Sequence, residues 1–230
     1  MRTYRYLDFI TASFVAVLII SNIASTKILD LKWFTFDGGT ILFPLAYIFG
    51  DVLTEVYGYA RSRRVIWTGF AWLAVAAGVF YLVDRLPAAS DYTMSDSFHA
   101  ILGQTPRIVA GSLAAYCCGE FVNSVILAKL KVQTEGRLLW VRTIGSTLVG
   151  EGIDTAIFLL IAFGGVFTNA TLWEIFKSNY IFKVGVEVAF TPITYWVVTY
   201  LKRVERSDVY DRNTDFNPFQ LSTNPATAAD

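Results

Sequence analysis

The 230-residue sequence has very little of what metal- and disulfide-dependent proteins use: one histidine and two cysteines. Cys117 and Cys118 are neighbours in an apolar run. Adjacent cysteines rarely bridge each other and lack metal-ligand spacing, so a disulfide framework, a zinc site and a histidine metal centre are not expected. Both cysteines read as small residues that let helices pack closely. Charged residues make up only 17% of the chain, against about 25% in a soluble domain. That leaves too few groups to cover a water-facing surface. Net charge is zero, so no basic field points to nucleic acid. No GxxxxGK[ST] loop, HExxH helix or GxSxG elbow occurs, so this chain offers no P-loop ATP hydrolysis, zinc proteolysis or serine-elbow chemistry.

What is abundant is apolar sequence, at 54% hydrophobic and 16% aromatic. A membrane span needs about 20 mainly apolar residues. Segments Leu7–Ile28, Ile41–Tyr59, Val65–Val83, Ile108–Leu130, Leu138–Gly165 and Tyr180–Leu201 satisfy this. None shows the strict alternation of barrel strands. The expected class is therefore all-α, a polytopic membrane protein with six transmembrane helices over residues 1–205. A polar tail over 206–230 follows, its end expected to be disordered. The basic start "MRTYR" precedes an apolar run of full spanning length without a convincing cleavage site, which reads as a retained first helix rather than a signal peptide.

Basic residues set the orientation. Arg2, Arg5, Arg61, Arg63, Arg64, Lys129, Lys131, Arg137, Lys202, Arg203, Arg206 and Arg212 all fall on alternate connections, whereas the other side carries mostly Asp and Glu. Both termini are expected in the cytoplasm, and the arginines after the second span read as topological anchors. In the longest outer connection, "SFHAILGQTP" reads as a short surface helix or a re-entrant turn.

Charges inside the apolar runs are costlier, at about 3 kcal/mol each on insertion scales. Asp51 and Glu55 stand at i,i+4, Glu120 and Asn123 at i,i+3, Glu151 and Asp154 at i,i+3, and Lys183 and Glu187 at i,i+4. Each pair shares one helical face. Together with Asn22 they imply four helices turning polar faces toward one ligand cavity, the bland alternative being interhelical glue. Lys27 offers a second cation near the first helix's end. Phe43, Phe49, Tyr116, Phe121 and Phe182 flank these groups and could stack on a flat, donor-rich heterocycle. "FGDVLTEVYG", "CCGEFVNSVI" and "LVGEGIDTAIF" echo one another, each with a glycine, an acid and a further polar residue. Chance resemblance and a relic of duplication account for this about equally well.

The stretches "GDVLTEVYGYARSRR", "ISNIASTK", "SFHAILGQTPRI", "STLVGEGIDTAIFLLIAF", "YIFKVGVEVAFTPI" and "YDRNTDFNPF" resemble the queuosine precursor transporter family, also classed as vitamin uptake transporters. The resemblance runs from about residue 15 to residue 220. It implies a six-helix inner-membrane transporter, not an enzyme, importing 7-deazaguanines such as 7-cyano-7-deazaguanine or its aminomethyl relative. The surplus of intramembrane acids suggests ion- or proton-coupled transport through a carboxylate protonated in part of the cycle. The resemblance also implies Asn22, Asp51, Gly150, Asp154 and Lys183 as the polar core, with Glu55 a variable element. No cofactor and no obligatory ATPase are expected, the lipid bilayer is the partner, and a homodimer is allowed. Two other classes stay open: a substrate-capturing subunit served by a separate ATPase, and an intramembrane enzyme whose acids hold Mg²⁺.

Overall fold

The computed structural model describes residues 4–220 apart from 25, 31–34, 104–105, 166–167 and 213. Among these, the chain forms helices α1 (Leu7–Ala24), α2 (Phe43–Val52), α3 (Tyr59–Arg85), α4 (Ser95–Leu102), α5 (Pro106–Gln133), α6 (Leu139–Phe163) and α7 (Asn169–Glu205). The all-α expectation needs one small amendment. An antiparallel hairpin follows α1, with β1 (Ile28–Asp30) and β2 (Thr35–Asp37) in register Ile28↔Asp37, Leu29↔Phe36 and Asp30↔Thr35.

Helices α1, α3, α5, α6 and α7 are each long and apolar enough to cross a bilayer. The expected second span is not among them because its helix is interrupted. A 3-10 turn over Gly38–Leu42 leads into α2, only 10 residues long. At 1.5 Å per residue α2 covers about 15 Å, half of a hydrocarbon core of about 30 Å. A π-helical turn, Leu53–Tyr57, continues it, and the chain breaks at Gly58 with φ 83°. That left-handed geometry suits glycine. Non-helical backbone at membrane depth survives only where protein buries it, and every residue from Leu53 to Tyr57 is buried. The loop segment around "SFHAIL" is the surface helix α4, none of whose residues is buried.

The outward faces are apolar. Trp72, Val75, Val79 and Leu82 line one exposed side of α3, and Ile181 and Trp196 of α7 are 68% and 70% exposed. So much apolar exposure is a lipid-facing surface, since a water-soluble chain rarely tolerates it. In lipid, close packing and polar contacts hold helices together more than hydrophobic burial does. The contacts fit that rule. Ile10, Phe14 and Leu18 line one buried face of α1, and a side chain on Gly69 of α3 would come within 2.7 Å of Leu18 and 3.1 Å of Phe14. Helices α5 and α6 share the largest interface in the fold. There a Cβ on Gly119 would meet Asp154 Cβ at 2.7 Å, and one on Gly150 would meet Asn123 Cβ at 2.9 Å. The contact is reciprocal, each glycine lying under the polar residue four positions beyond its counterpart.

Candidate functional site

The echoing motifs therefore meet in space. Gly119-Glu120 and Gly150-Glu151 are the crossing point of α5 and α6, and absence of side chains on the two glycines lets the adjacent acids approach. Gly50 does the same for α2: a side chain there would lie 2.6 Å from Glu120 Oε1. Asp51, 1% exposed, faces Glu187 of α7 and Glu120 of α5. Lys183 of α7 reaches α6, its Nζ 2.5 Å from Asp154 Oδ2 and 2.8 Å from Glu151 Oε2. Tyr116, Gly119, Glu120, Asn123, Thr147, Gly150, Glu151 and Asp154 line a cavity of about 10 Å³, room for about one water.

Glu120 Oε1, Asn123 Oδ1 and the Tyr116 hydroxyl are buried with no hydrogen-bond partner among the described residues, and Asp51 Oδ2 and Glu187 Oε1 have none beyond the contact their two carboxyls share. A buried polar atom without a partner costs roughly 1–3 kcal/mol. Most of these atoms are acceptors, so the group that would satisfy them carries N–H or O–H donors, or positive charge. Among the described residues no set of three or more His, Cys, Asp or Glu is arranged to hold a metal ion.

Glu55 belongs elsewhere. One turn after Asp51 in sequence, it sits in the π-helical turn, fully buried, and faces the end of the bundle that carries the tail. Its Oε1 accepts from Arg142 Nε at 2.8 Å, and its Oε2 lies 3.1 Å from Lys202 Nζ and 3.6 Å from Lys131 Nζ. Lys131 also donates to the backbone carbonyls of Glu55 and Val209, at 2.5 and 2.6 Å. Arg142 reaches the carbonyl of Arg137 and the Thr134 hydroxyl as well. Asp208, just beyond α7, closes the set at 2.6 Å from Lys131 and 2.9 Å from Lys202. Burial pushes the Asp208 carboxyl upward, but hydrogen bonds and charge from these two lysines outweigh it and hold it below the usual carboxylate range.

Of the residues expected to form one site, the structure brings together Asp51, Glu120, Asn123, Glu151, Asp154, Lys183 and Glu187. Glu55 does not join them: the π-helical turn takes it out of the regular i,i+4 register with Asp51, and three cations claim its carboxylate. Asn22, half-buried on α1, makes no hydrogen bond to the cluster among the described residues. Lys27 is exposed at the start of the hairpin. Of the aromatics, Tyr116 lines the cavity, whereas Phe121 packs into the apolar core with Trp67 and Phe70. The Phe43 side chain lies outside the described residues.

Arg142 was absent from that expected set. Its signal is a single arginine within the apolar stretch "LLWVRTIGS". Arg63, expected to be a topological anchor, is instead 1% exposed. Its guanidinium donates to the carbonyls of Asp215 and Asn217. The tail, expected to be a separate polar segment, is docked on the bundle through residue 220; its last ten positions lie outside the described residues.

Residues 37–197 match the family described as "Putative vitamin uptake transporter". The chain is 30% identical over 190 residues to the "Probable queuosine precursor transporter" of Bacillus subtilis, covering 82% of this chain and 83% of that one. It is 24% identical over 198 residues to the "Queuosine precursor transporter" of Escherichia coli, covering 85% and 87%. No solved structure matches the chain. Both relatives are named as transporters rather than enzymes, in keeping with apolar helices that enclose a buried polar cluster. On this evidence, the chain is a polytopic membrane protein of the vitamin uptake transporter family.

Proposed function

We propose that this protein imports queuosine precursors, planar 7-deazaguanines, across the inner membrane, with both termini in the cytoplasm. Its second crossing is the broken helix formed by the 3-10 turn, α2 and the π-helical turn, so six segments span. Transporters of many kinds bind substrate near mid-membrane at such discontinuous helices. The observation that carries this reading is the set of buried acceptors on Asp51, Glu120, Asn123 and Glu187 that have no cation or N–H donor among the described residues. A guanine-like ring offers adjacent N–H donors, and two carboxylates with an amide are matched to that edge. Lys183, already held by Glu151 and Asp154, balances charge and can donate a hydrogen bond to a ring acceptor. The names of the relatives support the substrate class.

A space of about 10 Å³ is too small for a bicyclic ring, so the conformation described is closed, and binding requires α2 and α7 to separate from the α5–α6 pair. Five carboxyls share this region with Lys183. In a low-dielectric setting they cannot all carry charge at once. A carboxyl that takes up a proton in part of the cycle couples uptake to the proton gradient, without an ATPase. Uptake that continues after the gradient is collapsed excludes that coupling.

Complementation tests the function. A strain unable to make the deazaguanine is given this chain and each precursor in turn, and queuosine in its tRNA is measured. Rescue is expected; absence of rescue by every precursor, with membrane insertion verified, overturns the proposal. Rescue that disappears when the host's ATPase modules are deleted points instead to a substrate-capturing subunit.

A further inference from the structure

Apart from residue 213, which lies outside the described residues, the segment Ser207–Gln220 makes far more contact than a polar tail requires. It crosses the end of the bundle as a strap, touching nearly every element there. Ser207 Oγ donates to the carbonyl of Val56 in the π-helical turn. Val209 fills the space beside Gly58, where any side chain would lie 2.6 Å from its Cγ1. The Tyr210 hydroxyl occupies the position a side chain on Gly136 would take, in the turn between α5 and α6. Asp211 accepts from the backbone N–H of Tyr59 at 3.0 Å, at the start of α3. Beyond it, Arg63 binds the carbonyls of Asp215 and Asn217, Phe216 packs on Tyr59, and Trp67 donates to the carbonyl of Pro218.

The π-helical turn and the start of α3, both bound by the strap, also carry buried hydroxyls. Thr54, Ser62 and Ser124, each at most 1% exposed, are joined hydroxyl to hydroxyl, with Thr54 3.1 Å from Ser62 and 3.3 Å from Ser124. Ser124 follows Asn123 of the acid cluster, and Thr54 lies between Asp51 and Glu55 on the broken helix. These hydroxyls belong to the π-helical turn, α3 and α5, in segments of chain that run between the acid cluster and the Glu55 hub. On the strap side stands the Glu55 hub, whose lysines hold Asp208. Apolar packing would seal such an end permanently. Here the apolar contacts of Val209 and Phe216 are joined by ion pairs and hydrogen bonds that can exchange, and the strap rests on the π-helical turn that continues the helix carrying Asp51.

We propose that the strap Ser207–Gln220 is the gate at the termini-bearing end of the transport path, with Asp208 as its latch on Lys131 and Lys202 and Arg63 as its clamp. This rests on the transport reading above. In the gating step, Asp208 leaves both lysines, Lys131 lets go of the Val209 carbonyl, and the strap lifts from the π-helical turn to open the hydroxyl row. Glu55 keeps the lysines in place while Asp208 is away.

The test uses the full chain in membrane vesicles, with Cys117 and Cys118 replaced by serine and a reporter cysteine at Ser124→Cys. Labelling by a hydrophilic maleimide reads access to the hydroxyl row. Losing one charge-assisted hydrogen bond should raise labelling roughly tenfold in Asp208→Asn and in Arg63→Gln, with Asp208→Glu returning it toward the native rate. In a second version, without the reporter, cysteines at Lys129 and Phe216, whose side chains meet 5.4 Å apart, are joined by a short reducible crosslinker. Uptake of the deazaguanine should stop on crosslinking and return on reduction. Unchanged labelling in both Asp208→Asn and Arg63→Gln overturns the proposal, as does uptake through a crosslinked strap. Labelling that follows the strap in a protein that takes up no deazaguanine supports the gate and removes only the substrate reading.

Discussion

Asp51 on α2 and Glu55 in the π-helical turn that continues it stand four residues apart, and their surroundings are opposites. Glu55 is a hub with its carboxylate shared among Arg142, Lys131 and Lys202, and no oxygen left over. Asp51 faces other acids, meets Glu187 carboxyl to carboxyl, and its Oδ2 has no cation or N–H donor among the described residues. A buried charge with every contact satisfied holds structure together. A buried acceptor left open adds nothing to stability, so its presence needs another reason, and in a transporter that reason is a ligand. The contrast separates two jobs that a bare count of intramembrane charges merges.

Removing the hub's charge should have the largest effect on folding. Glu55→Gln leaves three cations facing a neutral amide, and breaking a buried ion pair costs about 3–5 kcal/mol. The expected outcome is a large drop in melting temperature and in folded yield, read by size-exclusion chromatography of the solubilised protein. Asp51→Asn should do the reverse. Its melting temperature stays at or above the native value, because one like charge leaves the acid cluster. Uptake falls by roughly 10- to 100-fold or to background, the loss expected for a charged hydrogen bond to substrate. Equal behaviour of the two variants would erase the distinction.

Gly150→Ala sharpens it from the helix-packing side. The added methyl would press within 2.9 Å of Asn123, so α5 and α6 must part at a cost of about 1–3 kcal/mol. Both the melting temperature and the affinity for the deazaguanine should fall together, measured on one preparation. The smallest effect is that of pH on the strap. Because Lys131 and Lys202 hold the Asp208 carboxyl below its ordinary range, its contribution is complete at neutral pH. It is lost only as pH falls through that lowered value, with Glu55 and Arg142 completing the charges that face it. Labelling of the reporter at position 124 should therefore be flat near neutrality and rise on acidification, and Asp208→Asn should remove the rise.

Much of the architecture was legible because lipid imposes simple rules. Long apolar runs became α1, α3, α5, α6 and α7, and the polar pairs spaced three apart, Glu120–Asn123 on α5 and Glu151–Asp154 on α6, did turn toward one another. The failures also have physical causes. The i,i+4 argument for Asp51 and Glu55 assumes a regular helix, and the π-helical turn ended that regularity at Leu53. Lys131 and Lys202 read as loop-side anchors, since nothing local distinguishes a lysine that meets water from one that meets Glu55. Arg63 read the same way because its partners are backbone carbonyls more than 150 positions away, and carbonyls have no sequence signature. The strap was hidden for a similar reason: its polar composition is that of a solvated tail, and only its fit against Gly58 and Gly136 reveals the docking.

The most direct test of the contrast is ligand-induced thermal stabilisation of the purified full chain, native, Asp51→Asn and Glu55→Gln, with and without the deazaguanine. A ligand that binds only the folded state raises the melting temperature. The account predicts a clear upward shift for the native chain, a high baseline with no shift for Asp51→Asn, and a lowered baseline that still shifts for Glu55→Gln. A full shift retained by Asp51→Asn, with the shift lost in a Glu55→Gln protein of native stability, would contradict it.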